Sequence, residues 1–212
     1  MADLITNALI EKALNYQQYR QLLDQLVEVG QTTGPVQNES LATYTKQNVQ
    51  RMRRLDKTIE LLPELEQVLA KLETPWIWLV LTEGWCGDAA QNIPAIERMA
   101  EAAQPHIQVR YLLRDDHPTL MDAYLTNGTR SIPKLICLTA NTLLELGTWG
   151  PRPKAAHEMV QQFKQKGELT HEEYVVEIIK WYNEDKTASI QDELLALIQG
   201  WELIGAMLKV EM

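Results

Sequence analysis

The chain of 212 residues contains only two cysteines, Cys86 and Cys137. A secreted domain stapled by disulfides uses more, so the count points to a reducing compartment. Histidine is scarce too. His106, His117, His157 and His171 are scattered without metal-ligand spacing to cysteine, and neither a metal nor another cofactor is expected. No apolar run approaches the roughly 20 residues of a membrane helix. The opening MADLITNALIEKAL lacks a basic stretch followed by an unbroken apolar one, so no signal peptide is expected and the chain is placed in the cytoplasm. Basic charge is in deficit, with a formal net charge of −9. Nucleic acid and anionic membranes are therefore not expected partners. A Gly-rich phosphate loop and a Gly-x-Ser-x-Gly elbow are both missing, as are internal repeats, low-complexity tracts and long linkers.

Hydrophobic residues make up 45% of the chain, enough for a substantial core. The stretch that organises it is Trp76 to Asn92, WIWLVLTEGWCGDAAQN. Six apolar residues in succession, from Trp76 to Leu81, predict a strand buried on both faces. Gly84 breaks the run, Cys86 sits at the turn, and Asp88-Ala89-Ala90-Gln91-Asn92 opens a helix reaching about Ala103. Backbone N–H groups and the helix dipole favour a thiolate at such a first turn. Ahead of this stretch, apolar spacing predicts helices over 3–29, about 38–61 and 63–72. The second carries Arg51, Arg53, Arg54 and Lys57 on one side, read either as a solvated face or as a surface for an acidic partner. Beyond it come a strand at 107–113, a short helix at 118–125, a hairpin of strands 134–139 and 143–149, and a helix at 153–166. Thr170 and Glu173 form a capping box for a helix to about 184. A last helix from about 189 bears Ile190, Leu194, Leu197, Ile198, Trp201, Ile204 and Leu208 on one stripe. Burial on the domain or a homodimer contact would each satisfy that stripe.

Trp85-Cys86-Gly87-Asp88-Ala89 resembles the Trp-Cys-Gly-x-Cys motif of the thioredoxin superfamily, with Ala89 in place of the second cysteine. The stretches Leu113-Arg114-Asp115-Asp116-His117 and Asn127 to Lys134 narrow the likeness to a bacterial thioredoxin family protein subfamily with added terminal helices. The superfamily resemblance covers roughly 61–167. It implies an α/β thioredoxin-like fold, a mixed central sheet flanked by helices, divided as an N-terminal helical extension (1–60), a core (61–168) and C-terminal helices packed on the core (169–212). It also implies a cis bond at Ile132-Pro133, with the Ile132 backbone offered to a bound peptide. Trp85, Gly87, Asp88, Trp149 and Gly150 would complete a substrate groove, Gly147-Thr148-Trp149-Gly150-Pro151 matching the family loop on its third side.

Dithiol exchange needs a second thiol to resolve the mixed disulfide, and Ala89 cannot supply it. Cys137 lies four residues beyond Pro133 in a strand, about 13 Å along the sheet, whereas a disulfide needs Cα atoms within about 7 Å. It reads as a small buried hydrophobe. The buried acid that thioredoxins carry six residues before the first cysteine is Val80 here, so both parts of the resolving step are missing together. Two readings remain. Cys86 acts as a monothiol nucleophile or redox sensor on a protein or low-molecular-weight thiol or disulfide, or the fold is a non-catalytic module that grips a peptide or protein. Asp88 would oppose ionisation of Cys86, unless it serves only the free N–H groups of the helix start. Arg130 is the candidate to offset it, or else a surface loop charge. Exchange with proteins becomes implausible if the added helices cover the groove.

Overall fold

The structure, a computed structural model, describes residues 4–167 and 169–210; residue 3 of the first expected helix and the side chain of Leu208 lie outside the described residues. The chain runs α1 (Asn7–Lys12), α2 (Tyr16–Glu28), α3 (Glu39–Thr58), α4 (Pro63–Leu69), β1 (Trp76–Thr82), α5 (Gly87–Ala102), β2 (Ile107–Leu113), α6 (Pro118–Ala123), β3 (Lys134–Thr139), β4 (Glu145–Trp149), α7 (Lys154–Lys166), α8 (His171–Asp185) and α9 (Ala188–Val210). The strands form one mixed sheet in the order β2-β1-β3-β4, with β1 parallel to β2 and β3 antiparallel to both β1 and β4. All seven residues of β1 are buried. Successive side chains of a strand point to opposite faces, so helices must cover the sheet on both. This is the expected α/β architecture.

The single helix expected over 3–29 is two. Asn15 caps α2 through a reciprocal box with Gln18, and the residue before it, Leu14, pairs with Tyr111 of β2 through two backbone hydrogen bonds of 2.9 and 2.8 Å. The apolar spacing continues across this break, but the ladder to β2 requires extended backbone there. Tyr19 of α2 then stacks on Tyr111 with ring centroids 5.3 Å apart. The N-terminal helices are thereby joined to the sheet edge, and the main core cluster extends from Ile5 to Trp201.

α9 covers a further part of the sheet. Trp201 meets the edges of Trp76 and Trp78 at 6.1 and 6.4 Å between centroids. Those two stand two apart in β1 and share a face. Ile190, Leu194 and Ile198 are buried with Trp201, whereas Leu203, Ile204 and Met207 are exposed. Most of the stripe is thus buried in this chain's own core.

Glu97 of α5 gives this core a pH dependence. It accepts a 2.8 Å hydrogen bond from the Tyr111 hydroxyl, and burial pushes its pKa up from 4.5 to about 7, the hydrogen bond working against that rise. The folded chain keeps a proton that the unfolded chain has released, so stability is lost as pH climbs through that interval. Glu97→Gln is expected to flatten the loss and to raise stability at pH 8 by about 1–2 kcal/mol, with little change at pH 4. Urea midpoints at the two pH values check it.

Candidate functional site

The segment between β1 and α5 is fixed by the N-terminal helices. Gly84 donates its N–H to Thr33 Oγ1 at 2.8 Å, and its carbonyl accepts from Asn48 Nδ2 at 2.9 Å. A Cβ there would stand 2.6 Å from Leu23 Cδ2, so any larger residue would have to push the buried Leu23 side chain aside beneath α2 and α3. Glu83, fully buried, accepts from the Asp115 N–H at 2.9 Å and from the Thr33 hydroxyl, and burial raises its pKa. In the sequence Gly84 is legible only as the end of a strand, and Glu83 carries no signal of its role. Neither contact has a local signal, because the partners lie 32 to 51 residues away.

Cys86 is the N-cap of α5. Its sulfur accepts from the Ala89 N–H at 3.4 Å, and its thiol donates to the Ile132 carbonyl at 3.2 Å. The residue is 8% exposed. Its pKa is pushed up from 9.0 to about 12, first by burial and then by the Asp88 carboxylate; the Ala89 N–H and Arg152 act in the opposite direction without prevailing. The dipole advantage of the helix start is therefore outweighed. The Ile132–Pro133 bond is cis, as are Gly150–Pro151 and Gln104–Pro105. Cys137 is a free thiol within β3, fully buried opposite Trp78.

Asp88 is not occupied with the helix N–H groups. Its carboxylate accepts from Arg152 on one oxygen and from the Tyr182 hydroxyl, at 2.8 Å, on the other. Asn92 completes the cluster, donating to Tyr182 Oη at 3.0 Å and to the Asp88 carbonyl at 2.8 Å. Arg130 instead clasps Asp122 through two 2.6 Å hydrogen bonds. The cation paired with Asp88 beside Cys86 is Arg152, whose one signal in the sequence is its place between Pro151 and Pro153, two residues after Gly150.

Asp88, Arg152 and Tyr182 line a cavity of about 430 Å³. Trp85, Cys86, Gly87, Asp88 and Ile132 reach it, and Arg130 stands at its wall. Trp85 lies under the Arg114 guanidinium, 4.8 Å from the ring centroid. Trp149 and Gly150 are not brought there. They line a neighbouring cavity of about 330 Å³. The reason is local: the Trp149 indole donates to Glu193 of α9 at 2.7 Å, and Gly150 lies against the Pro133 carbonyl. The far side of the Cys86 cavity is α8, through Tyr174, Val175, Ile178, Ile179 and Tyr182. Thr170 and Glu173 cap that helix reciprocally, at 3.3 and 2.8 Å. α8 thus covers the cavity that Cys86 lines. Among the described residues, no group of three or more His, Cys, Asp or Glu could hold a metal ion, and no helix is long and apolar enough to cross a membrane.

A thioredoxin family model matches residues 34–164, more than half of the chain, and the chain belongs to that family. Among solved structures it is similar to a protein of unknown function, PA1234, from Pseudomonas aeruginosa, with a TM-score of 0.61 and 19% identity over 92% of this chain and 98% of that one. It is also similar to an HIV epitope-scaffold, with a TM-score of 0.53 and 17% identity over 88% of this chain and 99% of the other. At these identities the likeness is one of fold. No curated protein matches the chain.

Proposed function

We propose that this is a thioredoxin-fold binding protein whose groove, covered by α8, holds a ligand, with Cys86 as a protonated hydrogen-bonding group at its floor. The observation that carries the reading is Cys86 itself, 8% exposed with its thiol given to the Ile132 carbonyl. A nucleophile needs an exposed thiolate near neutral pH. The carbonyl that would receive a peptide in a thioredoxin groove is occupied from within, and Ala89 and Val80 remove the resolving thiol and its base. Monothiol exchange with a small disulfide is the second reading, favoured by the position of Cys86 on the cavity wall. Residues 1–60 and 169–212 are helical additions around the 61–168 core in this proposal, as in the bacterial subfamily with the Trp-Cys-Gly-Asp-Ala motif. The two free, buried thiols fit a cytoplasmic setting.

The test is reduction of a peptide disulfide, and separately of a low-molecular-weight disulfide, by excess small thiol. Added protein is expected to leave both rates at their uncatalysed values, and Cys86→Ser to behave as wild type does. A catalysed rate that Cys86→Ser abolishes would overturn the reading.

A further inference from the structure

The cavity beneath α8 carries a balance of charge opposite in sign to that of the whole chain. In a protein of net charge −9, it is lined by Arg51, Arg114, Arg130 and Arg152 against a single carboxylate, Asp88. Three of these cations are already answered: Arg114 pairs with Asp115, Arg130 with Asp122 and Arg152 with Asp88. Arg51 is not. It donates to the neutral Asn48 Oδ1 at 2.5 Å and, among the described residues, has no carboxylate within ion-pair distance. Burial and then the neighbouring Arg54 lower its proton affinity, and Asp88, beyond ion-pair distance, offsets them only in part. A second observation is independent of charge. Gln91, one turn into α5, is 3% exposed and lines the same cavity, yet its buried Nε2 has no hydrogen-bond partner. An amide buried without a partner costs free energy unless something else completes it. Tyr44, Trp85, Val175 and Ile178 give the remainder of the wall an apolar character.

Resting on the binding reading above, we infer that this cavity is the site of a small organic monocarboxylate, its head held by Arg51 and Gln91 and its apolar body lying against α8 and Trp85. One unanswered guanidinium supplies one positive charge, and its planar fork suits a carboxylate. Asp88 at the cavity wall disfavours a dianion. The volume falls within the range of small-molecule sites, and apolar walls with a few placed polar groups are their usual composition.

The experiment is calorimetric titration of the full chain with 4-phenylbutyrate and with its neutral isostere 4-phenylbutanamide. The wild type is compared with Arg51→Gln, Arg51→Lys and Arg53→Gln. A charge-assisted hydrogen bond predicts that the acid binds about 10-fold or more tighter than the amide. Arg51→Gln should abolish that preference and Arg51→Lys restore part of it. Arg53→Gln, which alters an exposed residue paired with Asp24 outside the cavity, should leave it intact. In a ¹⁵N-labelled sample the acid should also shift the Gln91 side-chain amide resonances. Equal affinities for acid and amide, a preference untouched by Arg51→Gln, or no saturable binding of either probe would each overturn the inference. The binding reading itself fails on a different result, disulfide turnover that depends on Cys86, so the two failures are distinguishable.

Discussion

Cys86, in a Cys137→Ala background, is expected to react with iodoacetamide at pH 7.5 at least about 100-fold more slowly than an unhindered thiol. Two effects multiply. The thiolate is the reacting species, and a pKa raised from 9.0 to about 12 leaves about a thousandfold less of it. The thiol is also covered, at 8% exposure, and engaged with Ile132. The rate should keep rising with pH beyond the value at which a free cysteine levels off. Asp88→Asn separates the causes. It removes the second-largest contribution to the raised pKa while leaving burial in place, so alkylation should accelerate by about tenfold yet stay below that of a free thiol. A wild-type rate at the free-thiol level, with a plateau near neutral pH, would contradict the buried, protonated state and return Cys86 to the role of nucleophile.

Gly150→Ala is expected to cost about 3 kcal/mol of stability or more, and to be the most damaging single methyl group in the site. The residue sits at φ 116°, a conformation essentially closed to side chains. A Cβ there would stand 2.2 Å from the Pro133 carbonyl oxygen and 3.2 Å from its carbon. Those are backbone atoms, which cannot swing aside as a side chain would. Relief would have to displace the Ile132–Pro133 segment, and with it the acceptor of the Cys86 thiol. Gly167→Ala is the control: its φ is also positive, at 62°, but nothing lies within 4 Å of the added atom. A cost of about 1 kcal/mol is expected there. Urea midpoints of the two variants should differ clearly. Equal, small shifts in both would show that the close approach to Pro133 is easily relaxed.

The central elements were legible because their signals are local. An unbroken apolar run marked β1, the turn at Cys86 marked the start of α5, and Thr170 with Glu173 marked α8 three residues at a time. What escaped was set by partners far along the chain. The break after Lys12 follows from Leu14 joining β2 at Tyr111, a strand nearly a hundred residues on. Arg130 and Arg152 look equivalent in sequence, each close to a proline of a groove loop. Only the folded chain gives Arg152 to Asp88, 64 residues apart, and Arg130 to Asp122. Asp88 itself sits where helix capping is the usual task, and the tertiary pair with Arg152 and Tyr182 overrides it. Nothing in the spacing of α8 tells which surface it will cover. Its apolar residues are as compatible with a free end of the domain as with a wall over Cys86.

The placement of Trp201 also sets a timetable. β4 ends at Trp149, but the indole that covers Trp76 and Trp78 is encoded some fifty residues later. At ordinary rates of elongation a ribosome needs roughly 3–10 s to cross that interval. For that time the nascent sheet shows an open aromatic face to whatever is nearby, and this face, more than the early-made helices, is where a chaperone would be needed.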